Sequence, residues 1–148
     1  MNNNELKDVA EKLIKTIELA GNKSMELYKK GLKKIIKADN SPVTNGDLEV
    51  NKILTEKIRE LTPNIPIISE ETVDLEKKNT LNTFWLIDPI DGTKDYIKKK
   101  DEYTLNAALI IDFKPAAGII YAPAKNRLFF SYGKNFAYEI SGGETLQL

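Results

Sequence analysis

The chain has 148 residues, with Lys+Arg and Asp+Glu balanced at 22 each and no His or Cys. Without His and Cys, a Ser-His-Asp triad, a cysteine nucleophile, a thiolate or imidazole zinc site and a disulfide are all excluded, leaving carboxylate, hydroxyl, lysine and backbone chemistry. Zero formal net charge gives no global field that would favour a nucleic acid polymer or an anionic membrane, and the length suits one domain with a real core.

Leu6, Val9, Leu13, Ile17, Ala20 and Leu27 recur at helical spacing, which predicts one long amphipathic helix capped by Asn3 or Asn4 and ended by Gly31. Lys29, Lys30, Lys33, Lys34 and Lys37 then form a basic cluster. Its simpler reading is lysines offsetting the negative helix C-terminus; the sharper one is a phosphate-facing patch in which Lys37 takes part. Ser41-Pro42 reads as a turn and Asn45-Gly46 as a break before a second helix, striped by Leu48, Ile53, Leu54, Ile58 and Leu61 and stopped by Thr62-Pro63. Asp47 falls in the first turn of that helix, where the helix dipole alone accounts for an acid.

Ile65–Ser69 reads as a short buried strand ending in Glu70-Glu71, Thr72–Thr80 as a polar connector, and Thr83–Ile87 as a strand leading into Asp88-Pro-Ile-Asp-Gly-Thr93. Thr104–Ile111, Ala116–Tyr121, Arg127–Ser131 and Phe136–Ile140 are further strands, and the short breaks between them require antiparallel pairing. The fold expected is therefore α+β, a predominantly antiparallel sheet with the two long N-terminal helices on one face. The central strands are apolar on both faces, as Leu105/Leu109 and Ala108/Ile110 show, so an uncovered apolar face and self-association through it are expected. Neither the Met1-Asn-Asn-Asn-Glu5 start nor any apolar run has the character of a signal peptide or a membrane span. A cytoplasmic protein is the expectation, with peripheral membrane association left open.

The acids carry the chemistry. Asp88 and Asp91 repel each other unless a cation stands between them, and hard oxygen ligands point to Mg²⁺ or Mn²⁺ rather than Zn²⁺. If the Ile65–Ser69 and Thr83–Ile87 strands are neighbours, Glu70, Asp88 and Asp91 converge at one sheet edge. Asp88 would then bridge two cations, with the Ile90 carbonyl as a backbone ligand. Two ions roughly 3.5–4 Å apart orient and polarise a phosphate and acidify a water for in-line attack. Gly92-Thr93 would offer backbone N–H groups to the phosphate if a short helix starts there, and the Thr93 hydroxyl would relay the proton of the water.

Trp85–Lys98, with its Asp-Pro-apolar-Asp-Gly-Thr core and Tyr96, resembles the first signature of the inositol monophosphatase superfamily of lithium-sensitive, Mg²⁺-dependent phosphatases. Ser69-Glu70-Glu71 resembles its upstream acidic pair, and Ser41-Pro-Val-Thr-Asn-Gly-Asp47 its segment with an acid at the start of the second helix. The resemblance implies Glu70, Asp88, Asp91 and the Ile90 carbonyl as ligands of two or three Mg²⁺, with Mn²⁺ as an alternative. It implies Thr93, Asp47 and Glu70 as the catalytic groups, and Glu70, Ile90, Asp91, Gly92 and Thr93 around a small phosphorylated substrate. Water would attack directly, without a phosphoenzyme.

Gly92-Thr-Lys-Asp-Tyr-Ile-Lys98 followed by Glu102-Tyr-Thr-Leu-Asn-Ala-Ala-Leu109 is more similar to the bacterial 3′(2′),5′-bisphosphate nucleotidase branch than to the inositol phosphatases. That branch removes the 3′-phosphate of adenosine 3′,5′-bisphosphate, a by-product of sulfate activation. The resemblance covers residues 1–148 as an N-terminal metal- and phosphate-binding domain. The family's second signature contains Trp-Asp, whereas the only tryptophan in this sequence is Trp85. Little activity is expected of this chain alone, and a non-catalytic metal-binding domain is the alternative. A haloacid-dehalogenase-like site fits less well, because its two aspartates are separated by one residue and these by Pro89 and Ile90.

Overall fold

The computed structural model of the protein describes residues 1–71 and 81–148. The connector read at Thr72–Thr80 lies outside the described residues. Helix α1 (Asn3–Lys30) carries Leu6, Leu13 and Ile17 on its buried face and ends at Gly31, whose φ of 96° is left-handed. Its cap is Asn2, not Asn3 or Asn4: the Asn2 side chain accepts from the Glu5 N–H at 2.9 Å. Lys29 and Lys30 lie in its last turn, where cations are favoured, and Lys30 also pairs with Glu26 at 2.8 Å.

Two strands, β1 (Lys34–Ile36) and β2 (Pro42–Thr44), then form a small antiparallel hairpin across the basic cluster and the turn expected at Ser41-Pro42. Helix α2 (Asn45–Leu61) begins at once, so Asn45 and Gly46 are its first residues rather than a break before it. The reason is the capping box: the Thr44 side chain accepts from the Asp47 N–H, and the Asp47 carboxylate accepts from the Thr44 N–H. At the far end the Thr62 hydroxyl donates to the Ile58 carbonyl at 2.9 Å and accepts from the Trp85 indole at 3.0 Å. The buried tryptophan thus pins the end of α2 to the sheet.

The main sheet has seven strands in the order β3 (Ile67–Ser69), β4 (Phe84–Asp91), β5 (Thr104–Ile111), β6 (Lys114–Ala122), β7 (Arg127–Tyr132), β8 (Ala137–Ser141) and β9 (Glu144–Gln147). Only β3 runs parallel to its neighbour, as the α+β expectation allows; every other pair is antiparallel. A short helix, α3 (Thr93–Ile97), follows β4. Helix α1 packs on β6 and β7 and α2 on β4, burying Val50, Leu54, Ile58, Ile87, Leu105 and Leu109 between helices and sheet. The opposite face presents Leu86, 42 % exposed, and Ile120, 44 % exposed, and holds an apolar hollow of about 350 Å³. The expected apolar face is therefore present among the described residues.

Close approach of α1 to β6 depends on Gly21. A Cβ there would lie 2.3 and 2.6 Å from ring atoms of Tyr121 and 3.2 Å from Pro123. Gly21→Ala gains about 1 kcal/mol of helix propensity, but overpacking a tight core costs about 1–3 kcal/mol. A net loss of stability in urea unfolding is expected; a gain would show that the Tyr121 ring moves aside freely.

Candidate active site

The strand leading into the aspartates does not end at Ile87, as its sequence implied, but continues to Asp91. Asp88 pairs with Asn106 and Asp91 with Thr104, so Pro89 and Ile90 together stand opposite one residue of β5. This is a β-bulge at a proline that has no N–H to give the ladder. Its effect is decisive for the acids. Residues three apart in a regular strand face opposite sides of a sheet, yet Asn106 and Thr104 are two apart and share a side. The bulge therefore turns Asp88 and Asp91 to the same face, away from the helices.

Glu70 joins them through register. Ser69 pairs with Ile87 in the parallel ladder, and the Glu70 N–H continues it by donating to the Ile87 carbonyl at 3.3 Å. Glu70 thus comes beside Asp88, while buried Ser69 turns back to Asn51 on α2, to which its hydroxyl is hydrogen-bonded. Glu71 takes a different part from Glu70: its side chain is 6 % exposed and pairs with Lys37 at 3.7 Å. Burial raises the Glu71 carboxyl and the Lys37 charge opposes that shift. Lys37 ties the β1–β2 hairpin to the end of β3 and lines the same polar cleft as Glu70 and Thr93.

Asp88 is the most perturbed acid of the group. One of its carboxylate oxygens is buried with no hydrogen-bond partner among the described residues. Burial first, then Glu70, Asp91 and Asp47, push its carboxyl up to about 7. An unpartnered buried oxygen among like charges fits a divalent cation, and the all-oxygen donor set fits Mg²⁺ chemistry. Among the described residues, however, no three acids already stand close enough to enclose an ion.

The hydroxyl and its partner are fully formed. Thr93 Oγ1 donates to Asp47 Oδ1 at 2.9 Å and lies 3.2 Å from the Ile90 carbonyl. One hydroxyl has one proton, and the shorter, charge-assisted contact to Asp47 is the stronger claim on it. Asp47 is buried and also accepts from both the N–H and the hydroxyl of Thr44. It is a capping residue and the partner of Thr93 at once, so the helix-dipole reading and the catalytic reading are compatible. Gly92 precedes Thr93 at φ 88°, where a Cβ would lie 3.1 Å from the Glu102 carbonyl, so the turn that aims Thr93 needs glycine. Lys37, Asp39, Ser41, Glu70, Thr93 and Lys94 line a polar cleft of about 390 Å³ here. On the other side of the sheet edge, Asp88 and Asn106 line one end of the apolar hollow.

Sequence reasoning gathered the acids but missed their supports. The Lys37–Glu71 pair, the Ser69–Asn51 hydrogen bond and the β1–β2 hairpin have no period or motif that marks them. Tyr96 was visible only as an aromatic in a pattern; its burial against α1 was not.

Residues 4–146 match the model of the inositol monophosphatase family, and the chain belongs to that family. It is 36% identical over 138 residues to the 3′(2′),5′-bisphosphate nucleotidase CysQ of Aggregatibacter actinomycetemcomitans, covering 92% of this chain and 51% of that protein. The crystal structure of CysQ from Bacteroides thetaiotaomicron, a bacterial member of the inositol monophosphatase family, superposes with a TM-score of 0.74 at 36% identity, covering 90% of this chain and 49% of that one. An IMPase/NADP phosphatase complexed with Mg²⁺ and phosphate shares the fold at a TM-score of 0.79 and 20% identity, over 92% of this chain and 52% of that one. The chain spans about half the length of the curated relatives it matches. No described helix is long and apolar enough to cross a membrane.

Proposed function

We propose that this chain supplies the metal- and phosphate-binding part of a Mg²⁺-dependent phosphomonoesterase that takes the 3′-phosphate from adenosine 3′,5′-bisphosphate. The observation that carries the reading is the buried oxygen of Asp88, without a hydrogen-bond partner among the described residues, beside Glu70 and Asp91 and next to the Thr93–Asp47 pair. Asp88, Glu70, Asp91 and the Ile90 carbonyl would hold the divalent cations. Bound there, Mg²⁺ would neutralise phosphate charge and make a water acidic. Thr93, whose hydroxyl proton is held by Asp47, would take a proton from that water as its own passes to Asp47. Gly92 and Thr93 would hold the phosphate through their backbone. The substrate reading draws support from the CysQ relatives, and the metal reading from the Mg²⁺ and phosphate complex of the more distant one.

The test is phosphate release with Mg²⁺, with and without Li⁺, from a panel containing adenosine 3′,5′-bisphosphate and inositol 1-phosphate. It should be run on the chain alone and on the chain joined to the remaining length of a CysQ relative. A higher kcat/KM for the adenosine bisphosphate and inhibition by Li⁺ are expected. Equal values for both substrates would return the assignment to family level, and Mg²⁺ binding without turnover in either form would make the protein a non-catalytic binding domain. The exposed apolar face carrying Leu86 and Ile120 supports self-association of the chain, which light scattering at increasing concentration would read directly.

A further inference from the structure

Gly46 is the second residue of α2, and its φ is not in the left-handed region, so the backbone does not call for glycine there. Alanine is the better helix former at such a position. What glycine allows is contact. A Cβ on residue 46 would lie 2.4 Å from the Tyr96 hydroxyl oxygen and 2.7 and 2.8 Å from the adjoining ring carbons. Tyr96 cannot yield that space cheaply. It is wholly buried, its hydroxyl donates to the Ser24 carbonyl of α1 at 2.7 Å, and its ring packs on Tyr28 and Tyr103 at centroid distances of 5.8 and 4.6 Å.

The next residue along α2 is Asp47, and three residues before Tyr96 on α3 is Thr93. The start of α2 and α3 thus meet through two adjacent contacts, Gly46 on Tyr96 and Asp47 on Thr93. The first is a rigid stop, the second a 2.9 Å hydrogen bond that fails if its partners part by well under 1 Å. We infer that Gly46 and Tyr96 are positioning residues: the tyrosine, tethered to α1, fills the space of the missing side chain and sets the approach of Asp47 to Thr93. The tether keeps the ring from yielding, so a side chain added at residue 46 would push α2 away from α3 rather than displace the tyrosine. The inference concerns the pair whose catalytic role is proposed above, but its test does not require turnover.

The test is the energetic coupling between Thr93 and Asp47, measured by urea unfolding with Thr93→Val, Asp47→Asn and the double variant. The cycle is run on the parent chain, on Gly46→Ala, on Tyr96→Phe and on Gly46→Ala/Tyr96→Phe. A coupling of roughly tenfold in the unfolding constant is expected for the parent chain, as for a hydrogen bond to a charged group. It should vanish in Gly46→Ala, persist in Tyr96→Phe, and return in the combined variant. Phenylalanine removes the closest clashing atom and the Ser24 tether, which frees the ring to tilt. Should Gly46→Ala fail to fold, recovery of both folding and coupling by the added Tyr96→Phe supports the inference. Coupling that survives in Gly46→Ala, or that stays lost in the combined variant, overturns it: the first would mean simple packing, the second a fault in α2 itself. If the coupling behaves as expected but Gly46→Ala turns over substrate normally in an active form, the spacer stands and the catalytic reading of the pair falls.

Discussion

Asp88→Asn is expected to abolish tight Mg²⁺ binding. The substitution keeps the shape of the side chain and removes the charge at the centre of the acid group. Loss of an outer partner of a metal ligand already costs roughly 10–100-fold in affinity, and loss of a ligand should cost at least as much. Isothermal calorimetry reads this, and unchanged binding would remove Asp88 from the site. The proton gives a second reading. Burial first, then its acidic neighbours, push the Asp88 carboxyl of the folded chain up to about 7, well above the ordinary carboxylate range. A raised acid stabilises the fold at pH values below its unfolded value, and that contribution is lost as pH rises through the folded one. The metal-free chain should therefore melt at a lower temperature at about pH 8 than at about pH 5.5, with the size of the fall reduced by the partial exposure of the group. Asp88→Asn should flatten that difference, and Mg²⁺ should restore the melting temperature of the parent chain at the higher pH.

Thr93→Ala should leave substrate affinity close to unchanged and lower kcat. Proton-transfer assistance is typically worth on the order of 10²–10⁴ in rate, and alanine removes the hydroxyl that donates to Asp47 at 2.9 Å. Thr93→Ser keeps the hydroxyl and should recover most of the loss. The measurement belongs to a form of the protein that turns over. Full kcat in Thr93→Ala would take both Thr93 and Asp47 out of the chemistry, while a rise in KM alone would recast Thr93 as a phosphate contact.

The helices were legible because their apolar stripes are long, and the central strands because they alternate. Leu13 and Ile17, or Leu105 and Leu109, each repeat a period that burial then uses. Three-residue strands offer no period: Lys34–Ile36 is exposed and sits within the basic cluster, although it pairs with Pro42–Thr44. The start of α2 was displaced because Asn45-Gly46 has the composition of a turn, whereas the Thr44–Asp47 capping box decides the boundary. Proximity of Glu70 and Asp88 was readable as two strands ending in acids. The shared face of Asp88 and Asp91 was not, since it depends on a bulge whose register only the partner strand reveals. Tyr96 shows the same limit: one aromatic in a motif does not disclose which carbonyl it will meet.

The strand order of the sheet also bears on how the protein folds. From β5 to β9 spatial order equals chain order and each pairing closes over a connection of a few residues, which loses little chain entropy. The docking of α1 on β6 and β7 joins segments far apart in sequence. The meander is therefore expected to form early and the N-terminal helices to dock late. Pulse-labelled amide exchange should then protect β5–β7 before α2, and simultaneous protection would contradict this order. Asp47 arrives with α2, after the strands that carry Asp88 and Asp91 have paired. The Thr93–Asp47 contact is consequently among the last to close, and a chain stalled short of its final docking step would hold a complete meander and no site.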